Sequence, residues 1–227
     1  MTYSLLAIDE KKGALVAGAA TGSLCVGGWV LRGRLGAGLV ASQGTAPSTL
    51  WRDDVLERLN SGIAADAAVG EVTGADPGRA YRQLAALDRT GQSAGFTGDA
   101  SVPYAAHVAR KGLVMSGNML LGPDVLAAME ARWNDPSSAD PAVRVLEALE
   151  AAETAGGDSR GLLSAALIVL RPDAAPLDLR IDRSDTPLRD LRALLDAART
   201  PPYSDWLDEV PTALAPTRAP DPPKAAE

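Results

Sequence analysis

Apolar and polar positions along this chain alternate with a period of two in some stretches and of 3.6 in others. Tyr3, Leu5 and Ala7 alternate with Ser4 and Leu6, and the run stops at Asp9-Glu10-Lys11-Lys12-Gly13, a hairpin-type turn. Ala14 to Ala20 then runs back as a second apolar strand. Ser23 to Leu31 (SLCVGGWVL) reads as a third, with Gly27-Gly28 marking a bulge or a close backbone approach. Arg32-Gly33-Arg34 turns the chain into a buried strand over Gly36 to Gln43. Two later hairpins follow. Arg82 to Asp88 and Ser93 to Thr97 flank one turn, while Ala105 to Ala109 and Leu113 to Ser116 flank Arg110-Lys111-Gly112. Gly117-Asn118 closes the latter strand. Ser164 to Leu170 is wholly apolar, as a strand buried on both faces is, and Leu177 to Ile181 alternates.

Between these runs the helical period takes over. Trp51 to Asn60 places Val55 and Leu59 at i, i+4, with Leu56 broadening the stripe. Ala64 to Val72 is a second, shorter helix. Pro123 opens a helix to Trp133, a residue suited to the first turn. Pro141 to Ala155 ends at Gly156-Gly157, and Pro187 to Arg199 carries Leu188, Leu191, Leu194 and Leu195 on one face. Strands grouped in hairpins, with helices between the groups, predict an α+β fold of two mostly antiparallel sheets. Stacked face to face, each sheet covered by helices, they make a sandwich. Residues 1–200 are expected to form a single domain. Residues 201–227 form a Pro-rich tail, in which Trp206, Leu207 and Val210 dock and Thr217 to Glu227 is disordered.

Composition narrows the function classes. Of 227 residues, 46% are apolar and 22% charged, an ordinary globular mix. The net charge is −7 and no Lys/Arg block appears, which argues against a nucleic-acid partner. No apolar run approaches the ~20 residues of a membrane span, so no membrane partner is expected. With no signal peptide before the first strand, a reducing cytoplasm is the expected compartment. Cys25, the single cysteine, reads as a buried core thiol within the strand-like run. The single histidine, His107, excludes a multi-histidine metal site and reads as structural or surface. Gly33, Gly36 and Gly38 lack the strand–turn–helix context and the lysine of a nucleotide loop, and no cofactor motif is present.

One residue type at one position carries chemistry. Thr2 follows the initiator Met and is small enough for that Met to be trimmed. Its hydroxyl and a free α-amine then share one residue. An α-amine titrates near pH ~8, so part of it is neutral and can take the hydroxyl proton. The same residue also reads simply as a small side chain opening a strand.

Seven segments, in order, resemble a known family. They are MTYSLLAID with KKGALVAGAA, then CVGGWV, GLVASQ, ADPGRAYRQLAALD, FTGDASVPYAAH, SGNMLLGPDVLAAM and AGGDSRGLLSAALIVLR, and the resemblance covers about Thr2 to Arg199. Together they are similar to the bacterial family called domain of unknown function 1028, placed with the N-terminal-nucleophile (Ntn) hydrolases. The resemblance implies a four-layer αββα sandwich and Thr2 as nucleophile with its own α-amine as base. Gly117 and Asn118 then supply a backbone N–H and a side-chain amide to a tetrahedral oxyanion. Asp158 and Arg160, on the loop after Gly156-Gly157, orient the amine or bind a substrate carboxylate; a loop-stapling ion pair is the alternative. Asn118 also reads as a turn former. Thr21, Ser23 and Gln43 line the pocket. The implied activity is cleavage of a C–N bond in a small amide-like metabolite, with no cofactor or metal and with homo-oligomerisation through the helical layers. The rival is a non-catalytic binding or scaffold protein on the same fold.

Overall fold

The first hairpin forms because its turn is chemically specified. In the computed structural model, which describes residues 2–157 and 161–220, β1 (Thr2–Asp9) pairs antiparallel with β2 (Ala14–Thr21). Asp9 Oδ1 accepts the Lys12 N–H at 3.0 Å, and Gly13 takes the left-handed φ of 59° that closes the turn.

The next segment departs from the expected strand. Val26–Trp29 is a single helical turn, α1, and Cys25 precedes it at φ 60°. Gly27 packs under Ala166 and Arg180, where a Cβ has no room. Its glycine therefore serves the expected close approach, but in a helix. Cys25 is partly exposed rather than a core thiol, and its sulfur is free. The expected turn Arg32-Gly33-Arg34 lies instead within β3 (Leu31–Arg34), which pairs with β4 (Gly38–Gly44).

Two helices follow. α2 (Thr49–Asn60) is capped by Ser48, whose Oγ accepts the Trp51 N–H at 3.2 Å, and α3 (Ala65–Gly74) packs beside it. β5 (Arg82–Asp88) and β6 (Ser93–Thr97) form the second hairpin, closed by Asp88 Oδ1 on the Thr90 and Gln92 N–H groups. β7 (Ala106–Arg110) and β8 (Leu113–Asn118) form the third. α4 (Asp124–Asn134) and α5 (Pro141–Thr154) follow, the latter capped by the Asp140 carboxylate. β9 (Ser164–Leu170), β10 (Leu177–Ile181) and α6 (Pro187–Ala198) complete the sequence of expected elements. α7 (Tyr203–Glu209) is a further helix within the proline-rich stretch, with Trp206 half exposed on it. The chain then returns, Leu214 N–H bonding Pro172 O at 2.9 Å. Of the expected disordered segment, 221–227 lie outside the described residues.

The strands make two antiparallel sheets, ordered β10-β9-β2-β1-β8-β7 and β3-β4-β5-β6. The period of two decides what each face meets. Leu6, Leu15, Ala17 and Ala19 meet Leu39, Ala41, Ala85 and Leu87 between the sheets. Tyr3, Leu5 and Val16 point the other way, into Met129, Val145, Leu149 and Leu191 of α4, α5 and α6. Val40, Leu84 and Ala86 meet Trp51, Val55 and Val69 of α2 and α3. The result is a four-layer αββα sandwich. Gly18 lets α5 sit close, because a Cβ there would enter Val145 and Leu149. Among the described residues no helix is long and apolar enough to cross a membrane.

Candidate functional site

Thr2 opens β1, a central strand, with Thr21 of β2 opposite it on one side and Asn118 of β8 on the other. Tyr3 is fully buried and its hydroxyl donates to Leu149 O at 3.2 Å, which pins the start of β1 to α5. Alternation then turns Thr2 and Ser4 toward the second sheet. Thr2 is half-buried, and its Oγ1 lies 3.0 Å from Thr21 Oγ1.

Beneath this pair the apolar inter-sheet core gives way to neutral polar side chains. The Thr2 carbonyl accepts from Gln43 Nε2 at 3.2 Å. Ser4 Oγ donates to Gln43 Oε1 at 2.8 Å and lies 3.1 Å from Ser116 Oγ. Gln83, with no exposed surface, is the hub. Its Oε1 accepts from Asn118 Nδ2 at 2.8 Å and from Gln43 Nε2 at 3.1 Å. Its Nε2 donates to Gly117 O at 2.8 Å, Thr97 Oγ1 at 3.0 Å and Ala106 O at 3.3 Å. Thr97 in turn meets His107 Nδ1 at 2.9 Å. Buried polar groups are tolerated when bonded, and a saturated network holds each member in one orientation.

His107 is therefore a bonded part of this network, and Gly95 leaves room for its ring. Burial holds its pKa below the ordinary 6.5, so the neutral imidazole is favoured. The Thr97 hydroxyl accepts from Gln83 Nε2 and keeps its proton and a second lone pair for His107 Nδ1.

The sequence-predicted residues divide. Thr2, Thr21, Gln43 and Asn118 come together at this end of the sandwich. Gly117 is adjacent, opposite Tyr3 and Ala106 in the sheet, with Leu120 packed over its Cα and its carbonyl taken by Gln83. Ser23 is exposed in the bend after β2, where its carbonyl accepts from Ser164 Oγ at 2.8 Å, and it makes no bond to the Thr2 network. Asp158 and Arg160 lie outside the described residues. Sequence reading missed Ser4, Gln83, Thr97 and Ser116. Their only signal is a polar residue at an inward position of an otherwise apolar strand.

Around this end three large apolar side chains are exposed. Leu24 follows β2, Tyr104 precedes β7 and Leu121 follows β8, and all three are exposed. A cleft of about 430 Å³ lies beside Thr97 and His107. A larger one, about 690 Å³, sits at the far end, against the Asp9–Lys12 turn and Trp133. There Arg144 stacks 4.0 Å over the Trp133 ring and binds Asp9 at 2.9 Å, an arrangement that ties α5 to the hairpin. Thr2 is not in the lining of either cleft, nor of those of about 610, 440 and 390 Å³. Among the described residues no group of three or more His, Cys, Asp or Glu side chains is placed to hold a metal ion.

Comparison with known proteins places residues 2–191 in a match to a family of unknown function, DUF1028. A crystal structure of a protein from Silicibacter pomeroyi, described as belonging to that family, is similar to this chain at 47% identity and TM-score 0.93. The similarity covers 97% of this chain and 96% of that one. No curated protein matches.

Proposed function

Since this chain belongs to DUF1028, a family of unknown function, we propose from its site that it is an Ntn-type amidohydrolase using Thr2. The observation that carries the reading is the contact between the Thr2 and Thr21 hydroxyls at 3.0 Å, above a buried amide network that fixes the Thr2 backbone.

In this reading Met1 is removed and the Thr2 α-amine, partly neutral at pH ~7, accepts the Oγ1 proton. Oγ1 bonds to the carbonyl carbon of a small amide. The resulting oxyanion is met by the Asn118 amide, of which one N–H is committed to Gln83 and the other bonds nothing among the described residues. The C–N bond breaks as the α-ammonium returns its proton to the leaving nitrogen. Water, deprotonated by the same amine, then hydrolyses the Thr2 ester and restores the hydroxyl. Thr21 orients the nucleophile, and the exposed Leu24, Tyr104 and Leu121 receive the apolar part of the substrate. The chemistry calls for no metal or cofactor. The reading sets the enzyme in the cytoplasm, acting on a small metabolite and not on nucleic acid or a membrane, and forming homo-oligomers.

A panel of small amides, ureides and cyclic imides, offered to protein with a verified Thr2 terminus, tests it. Turnover by the native chain and its loss in a folded Thr2→Ala variant are expected; an active Thr2→Ala protein would refute the assignment. A second reading, a non-catalytic binding protein, draws on the absence of Thr2 from the lining of the five clefts. It expects no turnover of any panel member by trimmed protein.

A further inference from the structure

β3 and β10 are edge strands, one in each sheet, and both line a cleft of about 610 Å³, a size that fits a small molecule. The charged residues of its lining are Arg32, Arg34, Arg171, Arg180 and Asp178. Four cations to one anion stand out in a chain whose net charge is −7. Three of the cations have a carboxylate each. Arg34 pairs with Glu57 at 3.0 Å, Arg171 is bidentate on Asp173, and Arg180 is bidentate on Asp178 at 2.9 and 2.8 Å. Arg32 forms no ion pair among the described residues, and its Nη1 donates only to the Leu31 carbonyl at 2.9 Å. It is half-buried, and its Nε and Nη2 bond nothing among the described residues. The buried polar atoms that lack a partner lie elsewhere, on Arg82, Ser101, Arg132 and Arg144, so those of Arg32 reach solvent. Burial, and then repulsion from Arg52, hold the Arg32 pKa below the ordinary arginine value; Arg180 adds to the repulsion, and Asp53 and Asp178 oppose it. Arg52 itself is spent on Asp53 and on the Gly28 and Trp29 carbonyls. One guanidinium thus sits among others at the cleft without an anion of its own.

We propose that this edge cleft binds a small phosphate monoester, with Arg32 as its anchor. The planar fork of Arg32 Nε and Nη2 matches two phosphoryl oxygens. Arg180 Nη1, which Asp178 leaves unused, and Arg34 Nε and Nη2 are the further donors of the lining. A carboxylate would be satisfied by Arg32 alone, so this surplus of guanidinium donors selects the larger charge and the additional oxygen of a phosphoryl group. The organic part of the ligand lies on Pro176, from the β9–β10 turn, and on Pro211 and Ala213, from the returning C-terminal segment. The site goes beyond the Thr2 reading. None of the residues that bond Thr2 lines the cleft, and its test reads binding and not turnover, so the two stand or fall separately.

Phenyl phosphate is titrated into the native full-length protein by calorimetry at pH ~7.5, above the second phosphate pKa of ~6, at constant ionic strength. A saturable one-to-one isotherm is expected, and benzoate, of similar shape, should bind at least about tenfold more weakly. Arg32→Gln should weaken phenyl phosphate binding by about tenfold or more, the loss of hydrogen bonds between charged groups. Lys111→Gln removes one cation from the β7–β8 turn, at the other edge of the six-stranded sheet, and should leave the affinity unchanged. Absence of a saturable isotherm overturns the site on native protein alone. Equal affinity for benzoate overturns the choice of a phosphoryl group. Unchanged affinity in a folded Arg32→Gln protein, or an equal loss in Lys111→Gln, overturns the role of Arg32.

Discussion

Replacing Gln83 by Met tests whether the polar hub holds the two sheets together. The side chains are similar in length, so packing changes little while every hydrogen bond of Gln83 is lost. Gln43 Nε2 keeps Thr2 O, and Thr97 keeps His107, so those groups retain one partner each. Asn118 Nδ2 loses its bond at 2.8 Å, and Gly117 O loses its side-chain donor, also at 2.8 Å. A buried polar group deprived of its partner costs about 1–3 kcal/mol, so two give roughly 2–6 kcal/mol. Burying the Met thioether returns a fraction, and a net loss of about 2–4 kcal/mol is expected. Against a typical total of ~5–15 kcal/mol this is a large change. Urea unfolding at neutral pH, followed by circular dichroism, reads it directly. A loss below about 1 kcal/mol, with the slope unchanged, would refute the claim that Gln83 is a saturated, buried hub.

Other substitutions probe separate parts of the fold. Gly38→Ala should prevent folding or destabilise severely, because Gly38 has φ 147° and a Cβ there would enter the Leu87 carbonyl; soluble expression and melting temperature check it. Arg144→Met should cost about 3–5 kcal/mol by stranding the buried Asp9 carboxylate, and Asp9→Asn in the same chain should recover much of it in a double-mutant cycle. His107 has its folded pKa below its unfolded one because burial disfavours the cation, so the unfolded chain binds protons first. Its contribution to stability is therefore complete above pH ~6.5 and is lost as pH falls through the folded pKa, a slope that His107→Gln should flatten in urea titrations.

Most of the architecture was legible because it is written in short-range chemistry. Asp9 with Gly13, and Asp88 with the Thr90 and Gln92 amides, specify turns that join alternating runs into hairpins. Ser48 and Asp140 mark helix starts. The segment SLCVGGWVL was not legible in the same way. A short apolar run fits a buried strand and a buried helical turn equally, and what decides is the packing of Gly27 against Ala166 and Arg180, far along the chain. Arg32 and Arg34 flank Gly33, which reads as a turn until β4 is present to pair with it. At the site, Thr2 stood out by position, and Asn118 by its place at a strand end. Gln83 and Thr97 did not, because their importance lies in the stacking of one sheet on the other. No local period encodes that register.

Thr2 can act as proposed only if it is the first residue of the mature chain. Intact-mass and N-terminal sequencing of the purified full-length protein settle that point. The account predicts complete loss of Met1 and a free Thr2 amine, with periodate, which cleaves a vicinal amino alcohol, converting that terminus in native but not Thr2→Ala protein. A retained Met1 would contradict it.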